Sequence, residues 1–144
     1  MPPRVHADTA FRFEVPDDWE NRSIVIWSAP PSAAEVPPNV VVAYDRPRPD
    51  ETLRTYVTRQ VADLAGTAQR LKLDLRRDLD FAGRSAIEIV FEFEASAGTM
   101  RQRQLFALLP DGRVTSTACT ARAADFAAAD ETFRAILQSF RWTA

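Results

Sequence analysis

Along most of this chain apolar and polar residues alternate, and in two stretches the spacing lengthens to that of a helix. Phe11, Phe13 and Val15 alternate with Arg12 and Glu14, the pattern of a half-buried strand. Pro16-Asp17-Asp18 then turns the chain. Ser23–Trp27 reads as a second strand, with Ile24 and Ile26 on one face and Val25 and Trp27 on the other. Ala29–Pro38 holds four prolines, Pro30, Pro31, Pro37 and Pro38, and is expected to form an irregular, exposed loop. In a third strand, Asn39–Asp45, the residues Asn39, Val41 and Ala43 share a face opposite Val40, Val42 and Tyr44.

The period then changes. Leu53, Tyr56, Val57, Gln60, Val61 and Leu64 recur at three-and-four spacing and make one stripe of a helix. Asp50 can cap it, Glu51 lies in its first turn where the dipole favours negative charge, and Gly66 is a natural stop. Leu71, Leu73 and Leu75 alternate in a fourth strand that continues toward Leu79 and a turn at Gly83. Ile87, Ile89, Phe91 and Phe93, alternating with Glu88, Val90, Glu92 and Glu94, give the clearest strand. Ser96-Ala97-Gly98 turns it into Thr99–Leu109, a long hairpin in which Glu92 and Glu94 can face Arg101 and Arg103. Such exposed pairs contribute about 0.2–1 kcal/mol each, enough to bias register more than stability. Pro110-Asp111-Gly112 leads to a last strand, Arg113–Thr120. A second helix, about Ala124–Phe140, carries Phe126, Phe133, Ile136, Leu137 and Phe140 on one side.

The expected order is βββ-α-ββββ-α. The fold class is α+β, an antiparallel twisted sheet of about seven strands with two helices packed on it. The 144 residues suit one domain, with residues 1–9 flexible.

Charge and composition narrow the function classes. The net charge is -2 and the pI about 5.4, which argues against nucleic acid or an anionic membrane as main partner. No apolar run approaches the roughly 20 residues of a membrane span. The opening MPPRVHADTAFRF lacks the apolar core of a signal peptide, so the expected location is cytoplasmic. A single cysteine, Cys119, fits a reducing compartment. With His6 the only histidine, a histidine-based zinc site or a Ser-His-Asp triad is not expected.

Candidates for catalysis have plainer structural readings. Asp17 and Asp18 are adjacent carboxylates within a turn motif. Glu88, Glu92 and Glu94 could ligate a metal or act as acid and base, yet their spacing is that of a strand's solvent face opposite Arg101 and Arg103. Cys119 lies among Thr and Ala, with no histidine to activate it. The four glycines lie singly, so no phosphate-cradling loop is present. Two glutamines stand out instead. Gln60 sits on the apolar stripe of the first helix, and Gln104 shares a strand face with Phe106 and Leu108. A buried amide without partners costs on the order of 1–3 kcal/mol, so each must bond a backbone group, water or a ligand. Beside them, the face Asn39, Val41, Ala43 offers small residues that let another backbone approach.

Five segments in order resemble one known family: FEVPDDW…SIVIW, NVVVAYDR, YVTRQ, RQLF and SFRW. They are similar to the DcrB/PsbP-like fold, and within it most to the Eag chaperones of bacterial type VI secretion. That resemblance implies a cytoplasmic homodimer with no enzymatic activity, cofactor or metal. It implies that the protein binds and shields the N-terminal transmembrane helices of a secreted, PAAR-containing effector and helps load it on the spike. The residues carried over as the client-binding groove are Ile24, Ile26, Asn39, Val41, Ala43, Gln60, Leu64 and Gln104. At the outer two positions of the NVVVAYD strand the family tends to hydroxyl residues, where this chain has Asn39 and Ala43. The alternatives are a stand-alone DcrB/PsbP-like binding domain and a small enzyme using the glutamate row.

Overall fold

A computed structural model describes residues 3–31 and 36–143. Strands β1 (Arg4–Ala7), β2 (Arg12–Val15), β3 (Val25–Ser28) and β4 (Asn39–Asp45) precede helix α1 (Leu53–Thr67). Strands β5 (Gln69–Phe81), β6 (Arg84–Ala95), β7 (Gly98–Leu108) and β8 (Val114–Arg122) follow, and helix α2 (Ala123–Gln138) closes the order. Six strands form one antiparallel sheet in the order β3-β4-β8-β7-β6-β5, while β1 and β2 form a separate ribbon. The α+β class and the antiparallel sheet are therefore as the alternation predicts.

Short turns fix the meander. The β5–β6 hairpin turns on Ala82 and Gly83, both at positive φ (52° and 87°), the mirror-image geometry that matches strand twist. Aligned across the sheet, Ile26, Val41, Ala118, Gln104 and Ile89 lie in one row. Paired residues of an antiparallel sheet point to the same face, so this row and the rows two residues away define one face. On that face α1 covers β5–β7. Tyr56 and Val57 pack with Ile87, Ile89, Phe91, Phe106 and Val114, flanked by Leu53, Val61, Leu64, Leu71 and Phe93. On the opposite face α2 sets Phe126 and Phe133 against Val40, Cys119 and Ala121. The segment after α2 continues that cover, with Phe140 and Trp142 around Phe81. Each fully buried aliphatic or aromatic side chain contributes about 1.5–3 kcal/mol.

An ion network pins α2 to the sheet. Arg103 donates to Glu88 (3.0 Å) and, in a fork, to both oxygens of Asp130 on α2 (3.0 Å each). Arg77 holds the other Glu88 oxygen at 2.9 Å, and Arg134 bonds Asp130 at 3.1 Å. Burial works against ionisation of Asp130, but the bonds from Arg103 and Arg134 outweigh it and hold the carboxyl below its usual range.

Several expectations are corrected. Phe11–Val15 does not hairpin with the following strand; its β2 pairs with β1, which occupies part of the segment expected to be flexible. The reversal is made at Asp8, whose N–H bonds Phe11 O and whose carboxylate accepts from Ala10 N–H. The cap of α1 is Thr52, reciprocally bonded with Thr55, and not Asp50. Gly66 lies inside the helix; the left-handed residue is Arg70 (φ 53°), next to a bulge between Gln69 and Lys72. Glu88 is not on a solvent face but is 3% exposed beneath α2. Glu92 does pair with Arg101 (2.7 Å), whereas Glu94 meets Thr99 (2.6 Å). Of the proline loop, Ala29 N–H bonds Pro38 O at 2.8 Å, and residues 32–35 lie outside the described residues.

Removing one partner of a desolvated ion pair strands the other charge. Asp130→Asn is therefore expected to cost about 2 kcal/mol in urea unfolding, because Arg103 keeps only Glu88. Arg134→Ala, on the exposed side of the network, should stay within about 0.5 kcal/mol.

Candidate functional site beside helix α1

Helix α1 leaves the β3–β4–β8 part of its face open. The uncovered floor is built by alternation: Ile26 from β3, then Asn39, Val41 and Ala43 from β4, Ser116, Ala118 and Thr120 from β8, and Gln102 and Gln104 from β7. The β4, β8 and β7 members are all half-buried. None of them belongs to a hydrophobic cluster of the described residues. Ile24 and Ile26 are 61% and 63% exposed.

A line of hydrogen bonds runs along this floor. Thr120 Oγ1 donates to Gln102 Oε1 (2.9 Å), Gln102 Nε2 to Gln104 Oε1 (2.8 Å), and Gln104 Nε2 to Ser116 Oγ (2.6 Å). The partners of Gln104 are thus internal. Amide and hydroxyl groups keep unused donor and acceptor capacity after these bonds, so the floor can still bond an incoming group.

The wall is α1. Tyr56 stands edge-on to Phe106 (6.0 Å between centroids) and donates its hydroxyl to Asp45 of β4 at 2.7 Å, spanning from the helix to the end of the open floor. Burial, then the bond to Asp45, raises its pKa. Gln60 lies one turn beyond Tyr56 on the same side of the helix and is half-buried. Leu64 packs against the α1 core cluster. The start of the helix is fastened by Glu51, which accepts from Arg48 N–H (2.8 Å) and from Arg59 Nε and Nη2 (2.7 and 2.8 Å). The Arg59 bonds dominate in lowering the Glu51 pKa from 4.5 to about 2.

The open floor therefore brings together Ile26, Asn39, Val41, Ala43 and Gln104, with Ile24 at its edge, Gln60 on the wall and Leu64 turned into the core. Sequence reasoning missed Gln102, Ser116, Ala118 and Thr120. The signal was the register: a turn at Asp111-Gly112 that pairs Leu108 with Val114 also sets Gln104 against Ala118.

The glutamate row and the cysteine have structural surroundings of their own. Glu88, Glu92 and Glu94 are each engaged by Arg or Thr side chains. Cys119 is buried, and burial pushes its thiol up to about 12. Among the described residues no group of three metal-ligating side chains forms, and no helix is long and apolar enough to cross a membrane.

A family model described as DcrB matches residues 12–139. The chain belongs to the DcrB family. The DcrB-family match takes in every strand of the six-stranded sheet and both helices, and with them the floor and its wall. A Pseudomonas aeruginosa protein named Effector EagT6 is 27% identical over 93 residues. The aligned stretch spans 65% of this chain and 65% of that relative's length. Among solved structures, PA94 of Pseudomonas aeruginosa superposes over 100% of this chain and 99% of its own with a TM-score of 0.86 at 22% identity. LpqN of Mycobacterium tuberculosis, involved in cell envelope biogenesis, covers 85% of each chain (TM-score 0.59, 13% identity). CyanoP of Synechocystis covers 97% of this chain and 92% of its own (TM-score 0.55, 12% identity). These likenesses establish a PsbP-like fold for this DcrB-family chain.

A carboxylate whose folded pKa lies below its unfolded value stabilises above the unfolded value and loses that contribution as pH falls through the folded one. For Glu51 the window runs from 4.5 down to about 2. Glu51→Gln should lower the melting temperature at pH 7 and flatten its decline across that window, as read by thermal melts at stepped pH.

Proposed function

We propose that this protein is a type VI effector chaperone that receives the N-terminal transmembrane helices of a secreted effector on the open floor beside α1. It acts as a cytoplasmic homodimer and catalyses no reaction. The observation that carries the reading is the floor itself, an uncovered sheet surface that combines small residues with a hydrogen-bonded row of amides and hydroxyls. A transmembrane helix in water must hide its apolar surface. Its helix–helix contacts in a bilayer use close backbone approach over small residues, plus side-chain hydrogen bonds. Ala43, Ser116 and Ala118 allow the approach, and Gln102, Gln104 and Thr120 supply the bonds. Ile24, Ile26 and Val41 supply apolar contact, and Asn39 and Gln60 add amides at the two margins. Leu64, packed in the α1 core, acts by holding the wall. The similarity to Effector EagT6 supports an effector-associated role, and a spike-tip PAAR domain on the client fits loading.

The test is co-expression with the N-terminal segment of an effector encoded beside this gene. The client should be soluble and co-purify only when this protein is present; a client equally soluble and abundant alone would sink the reading.

The amides allow a sharper test. Gln60→Ala should weaken client capture about tenfold and change stability by less than about 1 kcal/mol, since this residue lies on the wall and not in the buried cluster. Gln104→Ala should weaken capture similarly and cost about 1 kcal/mol, because Gln102 and Ser116 lose a partner. Unchanged capture with large destabilisation would make these residues purely internal.

A further inference from the structure

We infer that the cleft between α2 and β5, on the face opposite the open floor, binds an anionic amphiphile: a carboxylate or phosphate head on a medium-length acyl chain. This site is separate from the client floor and stands without the chaperone reading.

Helix α2 packs on β8 and β7, so the side chains that β5 turns to this face lie beyond its cover. Arg77, Leu79 and Phe81 alternate along β5 and form one wall of the cleft. Arg134, Leu137 and Gln138, about a turn apart on α2, form the other. Glu88 of β6, with Arg103 and Leu105 of β7, closes the base. Together they bound about 470 Å³, within the range of small-molecule sites.

The lining divides by chemistry. Phe81, Leu105, Leu79 and Leu137 belong to one apolar cluster, and the last two are only partly buried, so they keep apolar surface in the cleft. Beside them the ion network is oriented. Its carboxylates point inward: the side chains of Glu88 and Asp130 are 4% and 13% exposed. Its outer guanidiniums point to water: those of Arg77 and Arg134 are 57% and 67% exposed. Arg77 is hydrogen-bonded through Nε to Glu88 and Arg134 through Nε to Asp130. Among the described residues the paired Nη donors of both have no hydrogen-bond acceptor. The oxygens of Glu88 and Asp130 are already taken by Arg77, Arg103 and Arg134. Asp80, an exposed carboxylate of the lining, is turned to the hairpin, where Gly83 N–H holds its Oδ1 at 2.8 Å.

The cleft thus offers two guanidinium forks next to an apolar wall. A fork of this kind matches a carboxylate or a phosphate with two parallel hydrogen bonds, and the wall takes the chain attached to it. A cationic head would meet the wrong charge, and a bare anion would leave the wall in water.

The experiment is calorimetric titration of the full chain with decanoate and with decyl phosphate, both below their micelle concentrations. At least one should bind saturably at one site per chain, and the tighter of the two names the head group. Acetate, which lacks the chain, and decyltrimethylammonium, which reverses the charge, should show no saturable binding. Arg134→Ala, expected above to leave stability nearly unchanged, should weaken binding about tenfold, and Arg77→Ala similarly, each with unchanged far-UV circular dichroism. The inference is overturned if neither anion binds, or if decyltrimethylammonium binds as tightly as decanoate. It is also overturned if both variants keep wild-type affinity, since the chain is then held elsewhere, as on the open floor. Arg134→Ala should capture client as the wild type does, so the two readings fail separately.

Discussion

Adjacent strands lie about 4.8 Å apart, so six of them present a face roughly 25 Å wide, whereas a helix with its side chains is about 10 Å across. Two helices cannot cover both faces of such a sheet. On one face α2 is helped by the chain that follows it, where Phe140 and Trp142 fold back on Phe81. On the other, α1 has no such help. The chain enters it from β4, one strand in from one edge, and leaves it for β5 at the opposite edge, which places α1 over β5–β7. The open floor follows from this mismatch of widths.

What occupies the floor makes exposure tolerable. Residues beneath α1 are Ile, Phe and Val, while in the same rows the uncovered positions are Asn39, Ala43, Ser116, Ala118, Thr120, Gln102 and Gln104. Their hydrogen-bonded line satisfies the amides without a partner. Small residues limit the apolar area left in water. At β3 larger apolar side chains, Ile26 and Trp27 among them, remain exposed along an edge strand of the sheet.

The far face is held differently. Arg103 comes from the middle of the sheet and is desolvated, so it needs carboxylates from both the sheet and the helix. Glu88 and Asp130 supply them, and Arg77 and Arg134 complete the pairing. This fixes α2 at one position along β7, where a purely apolar contact would tolerate sliding.

The alternation of Ile87 to Phe93, the turns at Gly83 and Asp111-Gly112 and the stripe Leu53 to Leu64 were enough to read both helices, the antiparallel meander and every strand but β1. Gln104 was legible too, as an amide on an apolar strand face. These features are local, set by the periods of the backbone. The partners of Gln104 and the burial of Glu88 were not legible, because a strand pattern names two faces without saying which helix lands on which. The same alternation that suggested solvent for Glu88 is satisfied beneath α2 once Arg103 and Asp130 arrive from elsewhere in the chain. Pairing of β2 with β1 was likewise a contest between two neighbours, decided by the Asp8 turn. By itself the sequence determined the elements after the first strand and the composition of each strand face. Only the tertiary structure decided which half of which face stays open, because that depends on where a narrow helix lies across a wider sheet.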